Sequence, residues 1–144
     1  MSGPSTSSPE ARVRESFATQ GFMKKLGAEL VSVGEGTCEI SVPFDETMTQ
    51  QHGFFHAGVT ATIGDNAAGY AAFTLMPEKS TVMTTEFKIN LMAPAKGEKL
   101  TARAKVLKPG RTLSVVQSDI YGVEKARETH VATMLVTAMC LMDK

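Results

Sequence analysis

The feature that most constrains the fold of this chain is a single helix-length segment in its middle, which is followed only by strand-like segments. Residues 59–76 are rich in alanine and glycine, and Pro77 ends them because proline cannot continue a helix. Four strand-like segments follow, at 81–91, 99–107, 112–121 and 130–142. Turns with glycine or proline separate them at the short spacing that favours antiparallel strands over βαβ units.

The N-terminal part carries one helix signal. Residues 1–8 are mainly serine, glycine and proline, with nothing to bury, so we expect a disordered tail there. Ser8-Pro9-Glu10 then combines a capping hydroxyl, a proline at the first helical position and an acid in the first turn. A short amphipathic helix is predicted from this point to about Gln20, where Gly21 ends it.

A hairpin comes between this helix and the central segment. Residues 28–33 and 38–42 are both strand-like, and Gly34-Glu35-Gly36 provides a turn between them. A sheet with one apolar face must be covered, and the central helix is the one predicted element long enough to cover it. The predicted fold is therefore α+β: an antiparallel sheet of five to six strands wrapped around one long central helix. Residues 9–144 are expected to form a single domain.

The amino-acid composition limits the kinds of binding partner that we expect. Fifteen basic residues balance fifteen acidic ones, which argues against nucleic acid or an anionic membrane surface as a partner. No apolar run approaches the roughly 18 residues that a membrane span needs. Cys38 and Cys140 lie in strand-like apolar surroundings and are expected to be buried free thiols. These observations together favour a cytoplasmic protein.

The central helix carries one carboxylate, Asp65, in an unusual place. At about 100° per residue, an apolar stripe forms on one face, made by Val59, Ile63, Ala67 and Tyr70. Asp65 lies well off this stripe, and its neighbours on the helix surface are all small, namely Ala61, Ala68, Gly69 and Ala72. Small residues permit close approach of another backbone or a slender ligand. We therefore expect Asp65 in a seam between two chains or along a substrate channel, or else as a fixed core group bonded to a hydroxyl or amide.

The start of this helix is the second candidate feature. His56-Ala57-Gly58 lacks the usual Ser, Thr, Asp or Asn cap, unless His56 itself takes that role. The N–H groups of Ala57 and Gly58 are then free to bind an anion or to polarise a carbonyl, although water or Gln50 offers an alternative partner. Asp65 is nine residues past His56, about two and a half turns, so the two project to opposite sides. Two antiparallel helices across a dimer would bring them together, which predicts two composite sites per dimer.

These motifs resemble a known family. Gln50, His56-Ala57-Gly58 and Asp65-Asn66, followed by the runs at 87–97 and 108–111, resemble the PaaI-like branch of hotdog-fold acyl-CoA thioesterases over roughly residues 20–142. The resemblance implies hydrolysis of an acyl- or arylacyl-CoA thioester to free acid and CoA. It implies that the Ala57 N–H polarises the thioester carbonyl, that Gln50 assists, and that Asp65 of the partner subunit acts as general base or nucleophile.

The resemblance also implies further roles. Thr84 steadies the attacking water, and the helix-start histidine is His56. Gly58 and Asn66 belong to the substrate-binding motifs, and Lys108 and Arg111 are candidates for the phosphates of CoA. The family implies a homodimer that assembles into a homotetramer, without a cofactor or a metal.

Two details depart from the usual pattern of that family. Alanine stands second in a motif that is normally His-Gly-Gly, which keeps the donor N–H but adds a methyl group. Gln50 and Gln51 are both available as the assisting amide, and the spacing to Ala57 favours Gln50.

Three alternatives stay open. His52 and His56 have the i, i+4 spacing of zinc ligands, with His130 as a distant third, which would suit a metal hydrolase. A hotdog enoyl-CoA hydratase or dehydratase would use His56 as its catalytic base. A non-catalytic acyl-CoA-binding hotdog protein would use the same pocket without turnover. A Ser-His-Asp hydrolase is not favoured, because the sequence has no GxSxG motif.

Overall fold

A six-stranded antiparallel sheet curls around one long helix. The computed structural model describes residues 7–143, so residues 1–6 of the predicted tail lie outside the described part. The strands are β1 (Glu29–Gly34), β2 (Thr37–Pro43), β3 (Ser80–Leu91), β4 (Lys99–Lys108), β5 (Leu113–Glu124) and β6 (Arg127–Met142). They pair in the order β1-β2-β4-β5-β6-β3. The helices are α1 (Pro9–Thr19), α2 (Gly21–Leu26) and α3 (Ala57–Phe73), with a short 3-10 turn at Glu46–Met48. The predicted fold is confirmed.

Helix α3 is the centre of the core. It contacts five of the six strands, β2 to β6, and the predicted stripe is buried, at 8%, 0%, 0% and 4% exposed for Val59, Ile63, Ala67 and Tyr70. Ala68 and Ala72 are buried within the chain as well. A helix that is apolar almost all round is typical of a core helix. No helix among residues 7–143 is long and apolar enough to cross a membrane.

The N-terminal region differs from the prediction. Helix α1 begins as expected, with the Ser8 hydroxyl accepting a hydrogen bond from the Ala11 N–H at 3.1 Å. Gly21 does not lead into an irregular connector, however, because it begins a second helix, α2. Gly27 ends α2 in the left-handed conformation, with a φ of 67°. Met23 and Leu26 of α2 are buried and anchor it, whereas Phe22 is 55% exposed.

Three element boundaries also differ. Helix α3 begins at Ala57 and ends at Phe73, so its first turn includes the predicted donor residues. The last two strands are longer than expected and join through a two-residue turn, Lys125-Ala126. Both turn residues have positive φ, at 49° and 64°. Hairpin turns of this kind normally contain Asn or Gly, so Lys125-Ala126 could not be recognised as a turn from its residue types.

Both thiols are buried and free, as predicted. Burial raises the pKa of Cys38 to about 12, so this thiol stays protonated at neutral pH and is not a nucleophile.

Close packing of α3 on the sheet generates a test. A Cβ at Gly64 would meet the Met134 sulfur and, at 2.9 Å, the Ile120 Cδ1. Gly64→Ala should therefore displace the Met134 and Ile120 side chains from their places in the core and lower the free energy of unfolding by about 1–3 kcal/mol, measured by urea denaturation. Gly21→Ala is the matched control, because nothing lies within 4 Å of a Cβ at Gly21. Equal stability of both variants would contradict this account of the packing.

Candidate active site

The Asp65 carboxylate lines a cavity between α3, β3 and the joint of α1 and α2. The cavity has a volume of about 260 Å³. Its walls are mainly polar, and its lining residues are Ser16, Gln20, Asp65, Asn66, Gly69, Tyr70, Phe73, Thr81, Val82 and Thr84. Asp65 is half-buried there, at the wall of the cavity.

Thr84 is the hydrogen-bond partner of this carboxylate. Its hydroxyl donates to Asp65 Oδ1 at 2.7 Å, across 19 residues of chain. Thr84 precedes a bulge in β3, where the register with β6 shifts between Thr84 and Glu86, and such bulges re-aim neighbouring side chains. Burial raises the pKa of the Asp65 carboxyl above its ordinary value, and the Thr84 hydrogen bond partly offsets that shift. The result is a carboxylate more basic than one in water.

The start of α3 provides one unpartnered donor. Of the two possibilities left open for this helix start, the one with His56 as the cap is observed, since the Gly58 N–H donates to His56 Nδ1 at 2.8 Å. The Gly58 N–H is therefore not free, and this part of the prediction is wrong. Within residues 7–143 the Ala57 N–H has no hydrogen-bond partner. Ala57 is exposed at the positive end of the helix, where a partial charge favours a ligand oxygen.

Gln50 lies in the loop that leads to this helix start. Its Oε1 accepts from the N–H groups of His52 at 2.6 Å and Phe54 at 3.3 Å. The amide NH₂ group of Gln50, which can only donate, makes no hydrogen bond among the described residues. Gln51 makes no bond like those of Gln50 Oε1 among the described residues, which supports Gln50 over Gln51 as the assisting amide.

A second cavity, of about 270 Å³, joins Gln50 to the helix start. Its lining residues are Gln50, Gln51, Phe54, Phe55, His56, Ala57, Thr60, Leu91, Ala93, Pro94, Ala95 and Val131. Ala57 and Asp65 thus lie on different cavities of one chain, as the helical spacing predicted. The structure brings Gln50, His56 and Ala57 together on one cavity, and Asp65, Asn66 and Thr84 together on the other.

Three residues predicted to bind substrate, Asn66, Lys108 and Arg111, have surroundings that differ from the prediction. The Asn66 amide is bonded within the chain, since its Oδ1 accepts from Gln20 Nε2 at 2.7 Å and its Nδ2 donates to the Thr62 carbonyl at 3.3 Å. Lys108 ends β4 and Arg111 lies in the turn before β5. Neither of these two cations lines the cavity of Asp65 or that of Ala57.

Four polar residues of the two cavities were missed by sequence reasoning. Gln20 Nε2 donates to the Tyr70 hydroxyl as well as to Asn66, and the Ser16 and Tyr70 hydroxyls are 3.1 Å apart. This network fixes the α1–α2 joint as one wall of the Asp65 cavity. In the cavity that contains Ala57, the Thr60 side chain is 1% exposed, and its hydroxyl has no hydrogen-bond partner within residues 7–143. A buried hydroxyl of this kind normally bonds to a ligand or a water molecule. Of these four residues, sequence analysis had named only Tyr70, as a member of the apolar stripe of the central helix.

The metal alternative finds no support in the described part of the chain. No group of three or more His, Cys, Asp or Glu side chains within residues 7–143 is arranged to hold a metal ion. His130 Nε2 is instead 3.0 Å from Asp119 Oδ1, and its ring stacks on Tyr121.

Comparison with known proteins identifies the family. The model of the thioesterase superfamily matches residues 52–128, which is more than half of the chain. The chain belongs to the thioesterase superfamily. This confirms the resemblance to hotdog thioesterases and the expectation of a thioester hydrolase.

Individual relatives of this thioesterase agree with the assignment. A crystal structure of a thioesterase family protein from Silicibacter pomeroyi is 46% identical, with a TM-score of 0.92 over 94% of this chain and 99% of that one. Human acyl-coenzyme A thioesterase 13 is 34% identical over 104 residues, which is 70% of this chain and 73% of the relative. The Escherichia coli PaaI protein, from the phenylacetic acid degradation operon, shares the fold at 20% identity, with a TM-score of 0.81 over 93% of this chain and 94% of that one.

The Asp65–Thr84 pair generates a prediction for this thioesterase. Thr84→Val removes the hydrogen bond that lowers the pKa of Asp65, so that pKa should rise further above its ordinary value. An NMR titration of the carboxyl carbon of Asp65 measures the pKa directly. Thr84→Ser keeps the hydroxyl and should titrate like the parent. A pKa in the valine variant equal to or below the parent value would exclude this role of Thr84.

Proposed function

We propose that this thioesterase hydrolyses acyl-CoA or arylacyl-CoA thioesters to the free acid and CoA. The observation that carries the proposal is the presence of two suitable groups on α3: an Ala57 N–H without a partner among the described residues, and a half-buried Asp65 carboxyl of raised pKa. The similarity to human acyl-coenzyme A thioesterase 13 supports CoA esters as the substrate class. The acyl group is left open.

Ala57 and Asp65 have different roles in the proposed reaction. The Ala57 N–H and the Gln50 NH₂ group donate to the thioester oxygen, which becomes negatively charged as the carbonyl carbon turns tetrahedral. Asp65 acts as a general base that takes a proton from water, so that the oxygen of water attacks the carbonyl carbon. In the nucleophilic alternative, the Asp65 carboxylate attacks first and water then hydrolyses the anhydride. In both, the C–S bond breaks, and the thiolate of CoA leaves and takes up a proton.

A complete site requires two subunits in this proposal. Ala57 and Asp65 lie on different cavities of one chain, and strand β3, which carries Thr84, is an edge of the sheet. Phe87 and Leu91 of β3 are 45% and 57% exposed, and their register partners on β6, Val136 and Ala132, are buried. Edge strands with exposed apolar residues are ready sites for pairing with another chain. We propose that two β3 strands pair, so that Asp65 of one subunit faces Ala57 of its partner.

We also propose that the dimers assemble further, as the family resemblance implies. The outward face of the sheet exposes apolar side chains from three strands, among them Met83, Leu113 and Leu135, at 50–56% exposure. Apolar patches of this kind favour a second interface, and so we propose a homotetramer. A cytoplasmic location stays a prediction.

The hydratase or dehydratase alternative is disfavoured by the state of His56. Its Nδ1 accepts the Gly58 N–H, so in the neutral ring the proton resides on Nε2. Nε2 is then a donor and has no lone pair with which to act as a base. A non-catalytic acyl-CoA-binding protein is excluded if purified protein releases free thiol from acyl-CoA.

Ala57→Pro tests the role of the N–H selectively. Proline suits the first position of a helix, and the extended conformation of His56, with φ −63° and ψ 141°, suits the residue before proline. The variant should unfold at the temperature of the parent but release thiol about 10²–10³ times more slowly. Ala57→Gly keeps the N–H and is the control. Parental turnover of the proline variant would refute this oxyanion site.

Asp65→Asn tests the carboxylate and the two-subunit site. Thiol release should fall at least about a hundredfold, as for loss of a general base. Because folding raises the pKa of Asp65, ionisation of its carboxyl lowers the free energy of unfolding by an amount that grows from the ordinary to the raised pKa and stays in full above both. The variant should therefore melt at a higher temperature than the parent at pH 7, and the difference should vanish in acid below the ordinary carboxyl range.

A mixture of the two variants is the control for Asp65→Asn. Asp65→Asn and Ala57→Pro chains that are refolded together should recover thiol release, because each mixed dimer has one site with both groups intact. No recovery, despite the formation of mixed dimers, would place both groups in one chain.

A further inference from the structure

The residue that carries the free N–H at the start of α3 differs from the usual motif by one methyl group. The family normally has His-Gly-Gly at this place, whereas this chain has His56-Ala57-Gly58. Ala57 is exposed and lines the cavity of about 270 Å³ that joins Gln50 to the helix start. Its methyl group therefore borders the space that the substrate occupies in the proposed reaction.

The fold restricts residue 58 of this motif but not residue 57. A Cβ at Gly58 would lie only 3.0 Å from His56 Nδ1, so a side chain there would press on the imidazole that caps the helix. Ala57 has no such neighbour to disturb, because its side chain is exposed, and its φ is not positive, so glycine is not required. The side chain at position 57 is thus free to contact a ligand.

The methyl group of Ala57 lies beside the N–H that binds the thioester oxygen in the proposed reaction. Both belong to the first residue of α3, and Cα–Cβ bonds tilt toward the N-terminus of a helix, where the free N–H groups also point. The N and Cβ atoms of one residue are about 2.5 Å apart, and an oxygen bonded to the N–H is about 2.9 Å from the nitrogen. The carbonyl group and the atoms attached to it are then within van der Waals reach of the methyl group.

Only one of the two groups attached to the carbonyl carbon varies between substrates. The sulfur and the arm that follows it are identical in every CoA thioester, whereas the acyl group differs. A CH₂ group next to the carbonyl can turn its hydrogens toward the Ala57 methyl group, but a branched carbon presents a further methyl group there. Because closely packed sites tolerate an extra methyl group poorly, this contact discriminates between acyl groups by their first carbon.

A second observation indicates that a ligand fills this cavity. Thr60 lies about one helical turn after Ala57 and lines the same cavity, and its buried hydroxyl has no partner within residues 7–143. Thr62, in contrast, donates to the Gly58 carbonyl at 2.7 Å, which is the usual bond of a threonine within a helix. Most other side chains that line the cavity are apolar. Apolar walls with a few polar groups are typical of a site for a small organic ligand.

We propose that the Ala57 methyl group makes this thioesterase selective for acyl groups that have a CH₂ group next to the thioester carbonyl. This inference rests on the proposed acyl-CoA hydrolysis and narrows its substrate class. An acyl group that is branched at this carbon has to shift to avoid the methyl group. Its oxygen is then less well aligned with the N–H of Ala57 and the NH₂ group of Gln50, and the rate falls.

The test compares a straight-chain acyl-CoA with its isomer branched next to the carbonyl: butyryl-CoA with isobutyryl-CoA, and octanoyl-CoA with 2-methylheptanoyl-CoA. The parent should hydrolyse the straight ester with a kcat/KM about 10–200-fold higher, as expected for one misplaced methyl group in a fitted pocket. Ala57→Gly should lower this ratio about tenfold or more, and Ala57→Val should raise it. A ratio of two substrates on one protein does not depend on the folded fraction, so lost stability cannot imitate the result.

Two controls isolate the contact at the first acyl carbon. Isovaleryl-CoA is branched one carbon further from the carbonyl, so its kcat/KM relative to valeryl-CoA should be the same in the parent and in Ala57→Gly. Ala11→Gly makes the same substitution at an exposed position in the first turn of α1, and Ala11 lines neither cavity. This variant should keep the parental ratio of straight to branched ester.

The inference is wrong if Ala57→Gly keeps the parental ratio, or if it changes kcat/KM by one common factor for all esters, which would place the methyl group beside the sulfur. If the parent releases no thiol from any acyl-CoA, the proposed function fails. Calorimetric titration with the ketone analogues of the two esters, in which CH₂ replaces sulfur, then decides the inference separately. A preference for the straight analogue that decreases in Ala57→Gly would support it, and an unchanged preference or no binding would refute it.

Discussion

The close approach of helix α3 to the curled sheet is the constraint on which the rest of the structure depends. Gly64 faces Ile120 and Met134 without room for a methyl group, and the alanines beside it, Ala67, Ala68 and Ala71, are fully buried. Small side chains bring the helix backbone against the strands, and a core of this density tolerates little displacement. The positions of both candidate groups are thereby fixed: the Ala57 N–H at the first turn, and Asp65 two turns later.

Fixing the helix also sets the electrostatics of the carboxylate. Asp65 lies where the helix meets β3 and the α1–α2 joint, so burial raises its pKa, while one hydroxyl, that of Thr84, holds the ionised form. A fully buried carboxylate without a donor would stay protonated, and one in open water would be a weak base. The wall that creates this intermediate environment comes from outside the sheet and α3. Gln20 bridges Asn66 and Tyr70, and Arg12 donates to the carbonyls of Met76 and Pro77 at the end of α3.

How far the sequence predicted this molecule depended on the range of the interactions. Periodicity identified the buried stripe of α3 and the separate position of Asp65, because both depend only on residues within one helix. The resemblance to the family implied a role for Thr84 beside Asp65, and the hydrogen bond between them lies next to a β bulge that the sequence did not indicate. The hydrogen bonds of Gln20 could not be predicted from the sequence, because its partners are 46 and 50 residues away along the chain. The Lys125-Ala126 turn was missed for the opposite reason: the local residues disfavour the conformation that the two paired strands impose.

The error at the helix start is the most informative for function. Counting unsatisfied donors suggested two free N–H groups, but His56 folds back and takes that of Gly58. The imidazole thereby directs Nε2–H outward and leaves the Ala57 N–H as the one donor of that pair without a partner in the described chain. In the proposed reaction a single free N–H would be a weak oxyanion site, and for that reason the proposal includes the NH₂ group of Gln50, whose amide oxygen accepts from the N–H groups of His52 and Phe54. Two preorganised donors on one rigid cavity suit a thioester, because its thiolate leaves readily and the protein need stabilise only a modest charge.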